Sequence, residues 1–250
     1  MTDVLRAVSD GVGRITLNRP DQLNAITGDL ARELERSILG IAADVNVILI
    51  RGAGGNFCAG GDVDEVQRLR SSGAEALRGL FTAFRRACDA ITRVDVPVVA
   101  AVDGVAMAGG FELMQAADVV LVSDEARIAD QHINFGMIPG GGSTQRLPRL
   151  VGRQTALGVL LSGDKLSGLD AVRLGLAYKS FPKNTFDYGV ERFVTALATR
   201  QRDAVVTIKQ LVHAALQTSL AAGLDDEINA VVAHISTDDL TAFGKLGARG

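Results

Sequence analysis

Tryptophan is absent from this chain, and aromatic residues of all kinds make up only 4% of it. Nor does any lysine or arginine cluster stand out: 26 basic residues are set against 29 acidic ones, for a formal net charge of −3. A protein whose main work is binding nucleic acid needs a basic stripe, usually with stacking aromatics, so no nucleic-acid partner is expected. A polyanionic small ligand stays open, because it needs only a local basic patch. The two cysteines, Cys58 and Cys88, can pair in principle but form neither a disulfide framework nor a zinc-ligand spacing, and no metal is expected. No apolar run approaches the roughly 20 residues of a membrane span, so no membrane partner is expected. The N-terminal stretch mixes charged, small and apolar residues without the pattern of a signal peptide, and the expected compartment is the cytoplasm.

What is present is an ordinary globular composition, 47% hydrophobic and 22% charged over 250 residues, with 28 glycines. That length can bury a full core as one large domain or one domain with a small appendage. Weak alternation over 4–8 and 13–18, joined by Asp10-Gly11, predicts a hairpin. Thr27 then caps a helix carrying Leu30, Leu34, Ile38 and Ile41. Continuous aliphatic runs at 45–51, 97–102 and 119–122 predict strands covered on both faces, with a short fourth at 127–130. Helices are expected at 62–69 and 74–93, and from Gly110 to Ala117. Residues 136–142 form a glycine-rich loop, and helical patterns dominate from Thr144 onward. Strands alternating with helices, followed by helices alone, predict the α/β class with a helical C-terminal segment.

Two loops share one design. Phe57-Cys58-Ala59-Gly60-Gly61-Asp62 follows a covered strand and opens a helix, and Val105-Ala106-Met107-Ala108-Gly109-Gly110-Phe111-Glu112 does the same. Helix N-termini offer amides without intrahelical partners and a partial positive charge. Glycine lets a ligand approach the backbone closely. Two such ends facing each other would form an oxyanion hole. Either loop taken singly reads more simply as a tight turn, and the duplication shifts the balance toward function.

Neither loop is a phosphate-binding P-loop, because no Gly-Lys-Ser/Thr follows. Gly140-Gly141-Gly142-Ser143 matches no nucleophile elbow, so Ser143 reads as a helix cap. Cys58 reads as a small buried thiol rather than a nucleophile. Glu112 falls in the first turn of a helix among apolar neighbours. It either complements the helix dipole or is a desolvated carboxylate suited to moving a proton.

These loops, their spacing, Leu23-Asn24-Ala25-Ile26, and Ile138-Pro139-Gly140-Gly141-Gly142-Ser143-Thr144-Gln145-Arg146-Leu147 together resemble the enoyl-CoA hydratase/isomerase (crotonase) superfamily. The resemblance implies a stacked-sheet spiral core over 1–190 and a helical segment over 191–250 at subunit contacts of a homotrimer or dimer of trimers. It also implies an acyl-CoA thioester substrate, with no cofactor beyond the CoA moiety of that substrate. By position, Gly61 and Gly109 would supply the oxyanion amides and Glu112 the first catalytic carboxylate. The backbone of Ala25, Ala59, Gly60, Gly61, Asp62 and Gly109 would cradle the acyl-CoA.

Three departures from the family pattern matter. His132 stands where hydratases carry a second glutamate, which puts plain hydration in doubt. It is either structural or an active-site group, and if 130–132 is extended, Asp130 can orient its imidazole. A metal held by that pair is weakly supported. Asp64 stands where related hydratases often have a lysine. The basic C-terminal segment is altered, leaving Lys245 and Arg249 as candidates for a nucleotide phosphate. The leading reading is hydration of a 2-enoyl-CoA. Isomerisation by Glu112 alone, hydrolysis through His132 and a catalytically silent acyl-CoA binder are the alternatives. An RNA-binding side role would need lysines on the first long helix, which instead carries Asp29, Arg32, Glu33, Glu35 and Arg36.

Overall fold

Asp10 and Gly11 both adopt positive φ, 53° and 73°, and reverse the chain between β1 (Val4–Ser9) and β2 (Val12–Leu17). The structure, a computed structural model, describes residues 2–237; Lys245 and Arg249 lie outside the described residues. Beyond this antiparallel hairpin the sheet is parallel. β3 (Val47–Gly52), β4 (Val98–Val102), β6 (Val119–Ser123) and β8 (Lys179–Phe181) follow in the order β1-β2-β3-β4-β6-β8. A second sheet of two short parallel strands, β5 (Val105–Met107) and β7 (Arg127–Ala129), completes the stacked α/β arrangement.

The aliphatic runs are buried on both faces because successive side chains enter different cores. Ile48, Ile50, Val98, Ala100 and Val102 pack with Leu30, Leu34 and Ile38 of α1 (Gly28–Ile41) and with Phe84, Ala87 and Ile91 of α3 (Ala74–Arg93). Val47, Leu49, Val99, Ala101 and Leu121 instead meet Phe186, Val190 and Val194 of α8 (Phe186–Ala198). Each fully buried Leu or Ile here contributes about 1.5–3 kcal/mol. Thr27 caps α1 as expected, its hydroxyl accepting from the Leu30 amide at 3.1 Å.

Two strands were not anticipated. The segment around β5 reads as a small-residue turn, and β8 falls within what reads as a helix break. Each has three residues, too few to show alternation, and each is fixed by its partner: Ala106 opposite Ile128, and Ser180 opposite Val122. The remaining helices of this part are α2 (Val63–Ser72), α4 (Gly109–Ala116), α5 (Ser143–Val151), α6 (Arg153–Ser162) and α7 (Gly168–Arg173).

The chain divides into two compact units between Thr199 and Arg200. Helix α8 crosses residue 190 and remains with the first unit through its contacts with the sheet. The second unit contains α9 (Arg202–Ala214) and α10 (Leu220–Thr237). Its Ile208, Val212, Leu224, Ile228 and Val231 are exposed.

Candidate active site

The two glycine-rich loops lie against each other as parallel extended segments. Cys58 pairs with Ala106. The Cys58 amide donates to the Val105 carbonyl at 2.9 Å, and the Met107 amide donates to the Cys58 carbonyl at 3.0 Å. With the segments parallel and paired at these residues, Gly61 and Gly109 sit at equivalent positions, each just beyond the ladder. Contact continues past the pairing: a side-chain carbon placed on Gly60 would lie 3.3 Å from the Gly109 nitrogen. Neither the Gly61 nor the Gly109 amide donates to an acceptor among the described residues. Gly109 opens α4, where an amide has no intrahelical partner.

One feature of this turn is invisible in the sequence. Ala108 has φ 48° and ψ −115°, a conformation that costs a residue with a Cβ roughly 1–3 kcal/mol. It is held by its amide donating to the Ala129 carbonyl at 3.0 Å and its carbonyl accepting from the Glu112 amide at 2.9 Å. The strained residue immediately precedes Gly109 and so sets the direction of that peptide.

A third segment buttresses the first loop. Ile26 pairs with Gly61, donating to the Gly60 carbonyl at 2.7 Å and accepting from the Asp62 amide at 2.9 Å. The Ala59 amide donates to the Leu23 carbonyl at 3.0 Å, and that of Gly60 is turned to Cys58 Sγ. Ala25 donates its own amide to the Gln22 carbonyl. The Asp62 carboxylate caps α2 by accepting from the Glu65 amide at 3.0 Å and accepts from Arg19 at 2.9 Å, so both its amide and its side chain are engaged within the protein.

Arg19 and Asn24 carry structural roles that sequence reasoning missed. Arg19 also donates to the Ala25 carbonyl at 2.6 Å, tying the Ala25 and Gly61 segments together. Asn24 is fully buried with φ 58°, and its amide nitrogen donates to the carbonyls of Ala53 and Asn56 while its oxygen accepts from the Arg19 amide. Asn24 stood in the sequence only as part of the Leu23-Asn24-Ala25-Ile26 block, and its residue type is the signal for this role, since asparagine tolerates the left-handed region. Replacing Arg19 by Gln removes charge-assisted bonds of the kind that contribute about 1.5–3 kcal/mol. The expected result is a Tm lowered by several degrees, measured by thermal denaturation.

Glu112 projects from the first turn of α4 and is 2% exposed. Its Oε1 accepts from the Gly141 amide at 2.7 Å and the Ser143 amide at 3.1 Å. Its Oε2 lies 4.0 Å from His132 Nε2. Burial raises the Glu112 pKa, outweighing the two amide bonds and the nearby histidine, which lower it. His132 Nδ1 is 2.7 Å from Asp130 Oδ1. A buried carboxylate here acts as acceptor, so Nδ1 carries the proton and Nε2 turns toward Glu112. Burial alone would lower the His132 pKa, but the bond and charge of Asp130, with the charge of Glu112, raise it above the ordinary value of 6.5.

The route by which Asp130 reaches His132 differs from the extended one expected. Strand β7 ends at Ala129, Gln131 turns with φ 62°, and His132 begins a short 3-10 helix over His132–Phe135. This left-handed turn, rather than strand periodicity, brings the pair together. Ser143 is also not a side-chain cap: Gly142 occupies the cap position of α5, and the Ser143 hydroxyl accepts from Gln115 at 3.0 Å. Cys58 is fully buried, and burial pushes its thiol up to about 12, which removes it as a nucleophile. Among the described residues no group of three potential metal ligands occurs, and no helix is long and apolar enough to cross a membrane.

The sequence profile of the family described as enoyl-CoA hydratase/isomerase matches residues 7–245. The mitochondrial enoyl-CoA hydratase of Pongo abelii is 33% identical over 244 residues, covering 95% of this chain and 82% of that protein. The solved enoyl-CoA hydratase of Bacillus anthracis superposes with a TM-score of 0.91 at 29% identity, covering 97% of this chain and 96% of that one. A Thermobifida fusca protein solved in complex with acetoacetyl-CoA superposes with a TM-score of 0.86 at 27% identity, covering 94% of this chain and 95% of that one.

Proposed function

Because this chain belongs to the enoyl-CoA hydratase/isomerase family, we propose that it is an enoyl-CoA hydratase, adding water to a 2-enoyl-CoA through a thioester enolate. The observation that carries the reading is the placement of Glu112 and His132. Two titratable groups face each other across 4.0 Å, one fixed by loop amides and the other by Asp130. A water hydrogen-bonded at about 2.8 Å to each spans that gap.

In this reading the thioester oxygen accepts from the Gly61 and Gly109 amides. The water oxygen bonds to Cβ, and its proton passes to the Glu112–His132 pair. The π electrons of the double bond move onto the thioester as an enolate, which the two amides stabilise. The enolate then takes a proton at Cα from the protonated member of the pair, so the pair ends with the proton count it began with. Removing one oxyanion donor from such a site costs about 3–4 kcal/mol. The acetoacetyl-CoA complex of the Thermobifida fusca protein supports an acyl-CoA ligand. The exposed apolar side chains of α9 and α10 support self-association, read here as a trimer.

The assay is direct: crotonyl-CoA is mixed with the protein and loss of conjugated-thioester absorbance is followed. Hydration bleaches that absorbance without releasing thiol. Free thiol instead would favour the second reading, a hydrolase, to which the Asp130–His132 hydrogen bond also lends itself. No change with short, long or branched 2-enoyl-CoAs would sink hydration.

The pH profile follows from the same pair. The working state holds one proton between the two groups. Activity therefore falls on the acid side through the Glu112 pKa, raised above the ordinary 4.5, as both become protonated. It falls on the basic side through the His132 pKa, raised above 6.5, as both lose their protons. His132→Gln is expected to lower kcat by roughly 10²–10⁴ and to abolish the basic limb. An unchanged basic limb in that variant would assign it elsewhere.

A further inference from the structure

A cleft of about 360 Å³ opens beside the loop that holds Glu112, lined by Ala74, Arg78, Phe81, Thr82, Arg85 and Gly140. It adjoins the site through van der Waals contact. Gly141, whose amide holds Glu112 Oε1, has no room for a side chain because the Phe84 ring and the Glu112 carboxylate occupy that space. A side-chain carbon on the next residue, Gly140, would lie 2.6 Å from the Phe81 ring. Phe81 and Phe84 are three residues apart on α3, so the rings that abut Gly140 and Gly141 lie on one face of that helix.

The cleft has both apolar wall and charge. Ala74 and Phe81 supply the wall, and Arg78 and Arg85 are the charged residues lining it, with no acid among them. Asp89 is shared between Arg85 at 3.3 Å and Arg146 at 3.4 Å. Among the described residues Arg78 pairs with Glu75 alone, at 3.3 Å, and both side chains are largely exposed. Exposed pairs of this kind contribute little and exchange readily for another carboxylate. Arg85 therefore shares its carboxylate with a second guanidinium, and Arg78 holds one only through an exposed pair. Guanidinium is also the group whose planar fork fits a carboxylate in two places at once.

We infer that the site takes acyl-CoA substrates whose acyl chain ends in a carboxylate, the methylenes lying on Phe81 and Gly140 and the terminal carboxylate on Arg78 and Arg85. This rests on the reading of Glu112 and the paired loops as the acyl-CoA site. The cleft begins at the loop that holds Glu112, so an acyl chain leaving that loop along Phe81 ends beside Arg78 and Arg85, where a carboxylate finds partners and a plain alkyl terminus finds none. The same guanidiniums would suit a phosphate of CoA, and the test separates the two sources.

Mono-CoA thioesters of 2-enedioic acids are compared with 2-enoyl-CoAs of matched chain length, as kcat/KM for hydration. The saturated ω-carboxyacyl-CoAs and acyl-CoAs are compared in parallel for binding by calorimetry. The expected result is a preference for the carboxylated series at one or more lengths, by about two- to fivefold, as befits a largely exposed ion pair. In R78Q/R85Q the ratio between the two series is expected to fall toward one. No preference in the native protein would overturn the inference. An equal loss on both series in the variant would also overturn it, assigning the arginines to CoA phosphate. Because binding of the saturated compounds needs no turnover, a protein that hydrates nothing would defeat the hydratase reading while still reporting on the cleft.

Discussion

Glu112→Gln is expected to lower turnover by roughly 10²–10⁴ while leaving acyl-CoA affinity within a few-fold of the native protein. The argument is that Gln keeps the volume and an oxygen that can accept from the Gly141 and Ser143 amides, 2.7 and 3.1 Å from Oε1. What it loses is the ability to take or give a proton. The same variant should gain stability at neutral pH. Burial raises the Glu112 pKa in the folded state, so the folded protein binds that proton more tightly than the unfolded chain. The stability linked to this proton is fully present below the ordinary carboxylate value and is lost as pH rises through the raised one. Above that range Gln has no charge to bury, and Tm should exceed the native value, by roughly 2–4 °C for each kcal/mol relieved. The gap should close at acid pH. A variant that keeps native turnover, or whose Tm is lower across the pH range, would contradict the role and the burial argument respectively.

Gly60→Ala carries the second large effect, because it drives a wedge between the loops that hold the two amides. Gly60 has φ 108°, where a residue with a Cβ is strained, and the added carbon would lie 2.8 Å from Ala108 Cβ and 3.1 Å from the Met107 carbonyl oxygen. These are neighbours on short backbone segments, not flexible side-chain ends. Relief requires the first loop to move away from Gly109, lengthening at least one of the two bonds to the thioester oxygen. The expected loss in kcat is roughly 10²–10³, the cost of one oxyanion donor. Circular dichroism should still show a folded protein. Gly158→Ala in α6 is the matched control: nothing lies within 4 Å of its added carbon. It should retain native activity and gain about 0.5–1 kcal/mol from better helix propensity. Native kcat in Gly60→Ala would mean that the spacing of the loops does not matter to catalysis.

Periodicity made the covered strands legible, because buried parallel strands announce themselves as aliphatic runs such as Val47 to Ile50 and Val98 to Val102. It also exposed the helix face of Leu30, Leu34 and Ile38. The short strands β5 and β8 escaped because three residues carry no period and their pairing partners are distant in sequence. At the site, residue type and spacing drew attention to the paired loops and Glu112, and the family resemblance pointed to Gly61, Gly109 and His132. They were not enough to find Arg19 and Asn24, whose work is to fasten loops that meet only in three dimensions. Nor could they reveal that Ala108, an ordinary residue, holds a strained conformation just before Gly109. The Asp130–His132 pair was anticipated on the wrong geometry: the two residues meet through a left-handed turn at Gln131, which no alternation pattern encodes.

The most direct measurement is a crystal structure with a saturated, unreactive acyl-CoA bound. The account predicts the thioester oxygen at about 2.7–3.1 Å from the nitrogens of both Gly61 and Gly109, with Cα and Cβ of the acyl group facing Glu112 and His132. A carbonyl bonded to neither amide, or an acyl chain lying away from Glu112, would contradict it.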